Sequence, residues 1–78
     1  MTRDLLHYLA TQLVDFPDDV KVEEEITADG KVLRLSVRRE DVGKVIGKQG
    51  RTARALRNLV HAAALVRQER VNVQFVDA

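Results

Sequence analysis

Three of the four glycines in this 78-residue chain, Gly43, Gly47 and Gly50, fall within ten positions, G-K-V-I-G-K-Q-G-R-T (43–52). Lys44, Lys48 and Arg51 share the stretch with them, and no carboxylate does. Glycine allows another chain to approach closely and adopts dihedrals that other residues resist. Clustered cations attract an anion. A helix start adds unpaired N–H groups and the positive end of the helix dipole. Placed together, these features describe a phosphate-binding turn. Gly47 and Gly50 would leave clearance. Lys48 and Gln49 would point outward as a charge and a hydrogen-bond donor, and Lys44 and Arg51 would flank them. A Gly-x-x-Gly by itself also fits a plain helix C-cap and turn. The basic residues on both sides and the preceding Val45-Ile46 are what favour the phosphate reading.

Two other glycine signatures do not fit. A Walker loop needs four residues between its glycines and Lys followed by Ser or Thr, whereas three residues separate Gly43 from Gly47 and Gln49 follows Lys48. A dinucleotide fingerprint needs G-x-G-x-x-G after a strand, and the first glycine pair is missing.

The charge balance of the whole chain extends the pattern. Residues 1–40 carry six Lys/Arg against nine Asp/Glu, a net of −3, while residues 41–78 carry seven against three, a net of +4. From Val42 to Gln68 there is no carboxylate. A one-signed patch of this kind selects an anionic partner. The length fits one small domain over residues 1–78, with 45% apolar residues in the globular range. With no cysteine there is no disulfide framework or thiolate metal site. No stretch approaches the ~20 apolar residues of a membrane span, so the expectation is a cytoplasmic protein without a membrane partner.

The elements that position the turn follow from hydrophobic spacing. Thr2 is placed to cap a first helix over residues 3–15, with Leu6, Leu9 and Leu13 on its apolar side. Val20, Val22 and Ile26 indicate a strand interrupted by Glu23-Glu24-Glu25. Ala28-Asp29-Gly30 reads as a hairpin of the Asp-Gly kind. Leu33, Leu35 and Val37 alternate with polar residues as a half-buried strand does. Asp41 is placed to cap a short helix, 42–46, ending at Gly47. A long helix from Arg51 to about Gln68 would bury Ala53, Leu56, Leu59, Val60, Ala63 and Val66. Arg51, Arg54, Arg57, Asn58 and His61 would form its basic outer face. Val71, Val73 and Phe75 form a last strand.

Catalytic and metal chemistry find little support. His7 and His61 have no ligand neighbours at metal spacing, no nucleophile–base pair appears, and neither a cofactor nor a metal is expected. The Glu23–Glu25 run reads as a charged strand edge that discourages pairing. Arg38 and Arg39 either widen the basic surface or are simply solvated.

The segment DVGKVIGKQGRTARALRNLV (41–60) resembles the core of a KH domain, whose GxxG loop joins two helices and clamps a short run of single-stranded nucleic acid. The element order resembles the type II arrangement. The fold expected is therefore α+β, in the order α-β-β-α-α-β, with a three-stranded sheet packed against three helices. Chain length and the wording VGKVIGKQGRTA are similar to the KhpA family of small bacterial stand-alone KH proteins. That resemblance implies a non-enzymatic single-stranded RNA-binding protein, an RNA chaperone or post-transcriptional regulator. It also implies self-association, a KH/R3H partner of the KhpB (Jag/EloR) type, and a link to cell elongation and cell-wall homeostasis. Carried over by position, Gly47, Lys48, Gln49 and Gly50 match the loop, and Val45 and Ile46 fall where the family places the apolar side of its groove. Ile46 fits the core equally well. Lys44, Arg51 and Arg54 complete the RNA-binding set. The alternative is a KH-fold scaffold whose main role is dimerisation and protein docking.

Overall fold

The computed structural model describes residues 2–76. Met1, Asp77 and Ala78, which the expected 1–78 span includes, lie outside the described residues. The order is α1 (Thr2–Leu13), β1 (Lys21–Thr27), β2 (Gly30–Ser36), α2 (Val42–Ile46), α3 (Arg51–Val66) and β3 (Val71–Phe75). Short 3₁₀ turns at Pro17–Asp19, Arg39–Asp41 and Lys48–Gly50 connect them. This is the α+β order expected of a type II KH domain.

The sheet runs β1-β2-β3, antiparallel in its first pair and parallel in its second. Leu33, Leu35 and Val73 lie on one face of it with Val22, and they pack against Leu6 and Ala10 of α1, Val45 of α2 and Leu56 and Val60 of α3. The parallel pair needs a crossover, and α2, the glycine turn and α3 together make it. The turn therefore sits at a bend in that crossover, out of the core.

Several expectations are corrected. Thr2 lies inside α1 rather than capping it, and its buried hydroxyl has no hydrogen-bond partner among the described residues. The hairpin turns on Ala28-Asp29, and Gly30 is already the first residue of β2, paired with Thr27. At φ +134° Gly30 runs beside β3, where a β-carbon would lie 2.5 Å from the Arg70 carbonyl oxygen. Ile26, near the hairpin end of β1, is 67% exposed, and Val22 is the one buried residue of that strand. The long helix ends at Val66, two residues early, where Gln68 turns left-handed at φ +58° and the Glu69 amide closes onto the Ala64 carbonyl at 2.9 Å.

Each free sheet edge is touched by an arginine from a helix. Arg3 Nε donates to the Val22 carbonyl of β1 and Arg57 Nε to the Val73 carbonyl of β3, both at 3.1 Å. Arg57 also lies 5.0 Å from the centre of the Phe75 ring. Its head group therefore serves the sheet edge, not the basic outer face to which the periodicity assigned it.

Candidate nucleic-acid interface

α2 is only five residues long and stops where Gly47 adopts φ +75° and ψ 173°, a backbone region open essentially to glycine alone. A β-carbon there would fall 2.7 Å from Thr52 Cβ and into its hydroxyl, so the glycine is required by packing as well as by dihedral. Gln49 follows at φ +57° and Gly50 at φ +73°. Two of three consecutive residues in the left-handed region turn the chain sharply from α2 into α3. Gly50 has open space where its β-carbon would be. Gly43 also faces open space, and its φ is not positive.

The turn consumes part of what α3 was expected to offer. The Gly50 amide donates to the Gly47 carbonyl at 3.1 Å, and the Arg51 amide to the Lys48 carbonyl. The amides of Lys48 and Gln49 donate to no acceptor among the described residues. The loop itself therefore contributes two open donors, one step earlier than the start of α3.

Lys48, Gln49, Arg51 and Arg54 are all exposed. Arg51 Nη2 lies 3.4 Å from Gln49 Oε1, a weak contact that a ligand can displace. Among the described residues no carboxylate lies within ion-pair distance of Lys48, Arg51 or Arg54. Val45 is in the core, and Ile46 is partly buried against it, leaving one side of its chain at the surface.

Lys44 is engaged elsewhere. Its ammonium donates to Asp15 Oδ2 at 2.8 Å and to Asp41 Oδ1 at 3.2 Å, so it stands with two acids rather than among the loop cations. Asp41 does not cap α2. Its carboxylate is buried and accepts the amides of Asp15 at 3.2 Å and Phe16 at 3.0 Å. Burial alone would push that carboxyl up, but the two amides and the Lys44 ammonium outweigh it and hold the group below its ordinary value. Asp15 first, then Asp41, raises Lys44 in turn. The sequence carries no signal for this clasp, because its partners are 25 and 26 residues apart.

A second surface feature lies on α3. Its buried stripe is Ala53, Leu56, Val60 and Ala64, whereas Leu59 is 52% and Val66 85% exposed. Ala55, Leu59, Ala62 and Val66 form a solvent-facing apolar line at spacings of four, three and four. Leu9 and Leu13 of α1 border its Ala55 and Leu59 end across a groove of about 250 Å³. No helix among the described residues is long and apolar enough to cross a membrane, and no cluster of His, Cys, Asp or Glu among them could hold a metal ion.

Residues 3–75 match the family model for the KhpA/KhpB KH domain. The chain is 48% identical over 75 residues to the RNA-binding protein KhpA of Halalkalibacterium halodurans, covering 96% of this chain and 99% of that one. It is 49% identical to the RNA-binding protein KhpA of Bacillus subtilis, covering 95% and 91%. The Treponema pallidum protein of the same name is 46% identical, covering 99% and 96%. Among solved structures, a crystal structure of an Aquifex aeolicus Era variant bound to GDP·AlF4⁻ superposes with a TM-score of 0.62 at 17% identity. The match takes in 95% of this chain and 29% of that one, a likeness of fold.

Proposed function

The chain belongs to the non-enzymatic KhpA/KhpB family of KH-domain proteins, and we propose that it binds single-stranded RNA through the Gly47–Gly50 loop. The observation that carries this reading is the pairing of two unspent loop amides, those of Lys48 and Gln49, with three exposed cations that no carboxylate opposes. A ribose-phosphate chain crossing the loop accepts from those amides. Lys48, Arg51 and Arg54 neutralise the phosphates on either side. The surface side of Ile46 floors the groove where bases splay, while Val45, expected beside it, is in the core at 2% exposure and only supports it from beneath. Three aromatic residues, Tyr8, Phe16 and Phe75, are all that the chain has, and none lies in the loop or its flanking helices. Aliphatic contact therefore replaces the aromatic stacking other RNA-binding folds use.

With about three or four phosphates engaged at roughly −0.7 each, binding weakens with salt at a log–log slope of about −2 to −3. One module with so few contacts gains usable affinity by acting in pairs, since linkage raises the effective concentration of the second site. Family membership supports a cytoplasmic RNA chaperone or post-transcriptional regulator, working with a KhpB-type KH/R3H protein in cell elongation and cell-wall homeostasis. Replacing Lys48 and Gln49 together by Asp tests the loop. Gel shifts with short oligoribonucleotides should be abolished while the circular dichroism melt stays within about 0.5 kcal/mol of the parent, as surface changes do. Retained binding would reduce the loop to a connector.

A second reading, a dimerising scaffold, is favoured by one observation, the exposed Ala55-Leu59-Ala62-Val66 line. Apolar residues alternating at three and four are the pattern by which helices pack on one another. A second copy laying its α3 there would cover Leu59 and Val66. Sedimentation of the purified chain at several concentrations, with and without oligoribonucleotide, separates the two readings.

A further inference from the structure

We infer that Asp41 is a positioning residue for the Gly47–Gly50 loop, acting through α2 from a place where it cannot touch the ligand. The inference rests on the RNA-binding reading above. Asp41 is 0% exposed, and both its oxygens are engaged: Oδ1 takes the Asp15 amide and the Lys44 ammonium, and Oδ2 takes the Phe16 amide. A single carboxylate thus fastens the segment leaving α1 to the residue that opens α2. Lys44, reaching back three residues to Asp41 and across to Asp15, closes the clasp from the other side.

The geometry gives this clasp authority over the loop. A five-residue helix has too few internal hydrogen bonds to hold itself, so its direction is set by Val45 in the core together with what grips its two ends. At the rear, the Gly47 amide bonds to the Gly43 carbonyl at 2.9 Å and the chain turns. At the front, Asp41 is the anchor. An aspartate whose role was to cap α2 would aim its carboxylate at the first α2 amides; this one aims at residues 15 and 16 and makes no cap bond. Its reason for being acidic is therefore the tie between elements. Preorganisation of that tie keeps the Lys48 and Gln49 amides aimed outward before RNA arrives.

Asp41→Asn keeps the shape and replaces one acceptor oxygen by an NH₂ that faces a backbone N–H. Measured by fluorescence anisotropy at a temperature where the variant is fully folded, its affinity for a short oligoribonucleotide should fall about tenfold through lost preorganisation. The salt slope should stay unchanged, because no phosphate contact is removed, whereas Lys48→Met should lower it by about 0.7. Val22→Ala, a core change on β1, supplies a variant of similar stability that should bind as the parent does. Should Asp41→Asn not fold, Lys44→Met takes its place, with a smaller loss and again no change in slope. In the free proteins, amide spectra of either clasp variant should show shifts at residues 47–51, a readout independent of RNA. Unmoved amides in the free variant, parental affinity, or a loss no larger than that of Val22→Ala would overturn the inference. A reduced salt slope for Lys44→Met would also overturn it, by making Lys44 a phosphate contact. If the parent chain binds no RNA, the RNA reading falls, and the amide shifts alone decide whether Asp41 sets the loop.

Discussion

Two surfaces of α3 differ in what they leave unsatisfied. At its start, among the described residues, the loop leaves two backbone donors without acceptors and three cations without an opposing carboxylate. Along its flank, Ala55, Leu59, Ala62 and Val66 leave apolar area without cover. The first lack is electrostatic and is met by an anion; the second is hydrophobic and is met by another apolar face. One sixteen-residue helix serves a core, a polar corner and an apolar flank because its 3.6-residue period separates three stripes. The corner and the flank should therefore be separable by mutation.

The largest effect is expected at Gly47. Ala there meets Thr52 and a backbone region closed to it, at φ +75° and ψ 173°, so a thermal melt should show about 1–3 kcal/mol of lost stability, with RNA binding gone. An alanine variant that melts like the parent would mean that the turn is looser than its dihedrals require. Leu59→Asp comes next and strikes the flank alone. If two copies pair through this flank, sedimentation should show that pairing lost, while RNA affinity per chain keeps its salt slope and the melt moves by about 0.5 kcal/mol or less. Loss of RNA contacts in that variant would join what the comparison separates. The smallest effect belongs to Gly43, which is exposed, has helical dihedrals and faces open space. Gly43→Ala should raise stability by up to about 1 kcal/mol. A destabilised variant would show that α2 is packed more tightly than its surroundings indicate.

Much of this was legible in the sequence, and what was missed has physical causes. The loop could be read because its glycines and cations are contiguous. β2 and β3 could be read because Leu33/Leu35/Val37 and Val71/Val73/Phe75 alternate strictly. The apolar face of α3 departs from its expected position at Leu59 and Val66 because alanines and aliphatics occupy much of that helix's circumference. With so little contrast, period alone does not choose the buried side, and it gives no signal for the burial of Ala64. Arg57 looked like part of a basic face, since periodicity cannot see that its guanidinium bends to the edge of β3. Asp41 looked like a helix cap because N-capping is the local role of an aspartate before a helix. Its actual partners arrive from the far end of α1, and only the folded chain brings them together.

The most direct test follows backbone amide signals by NMR while a short oligoribonucleotide is titrated in. If loop amides and unopposed cations grip a sugar-phosphate chain, the Lys48 and Gln49 signals should move furthest, with those of Arg51 and Arg54 following and those of β1 staying still. Loop signals that remain in place as RNA binds elsewhere, or as nothing binds at all, would contradict the account.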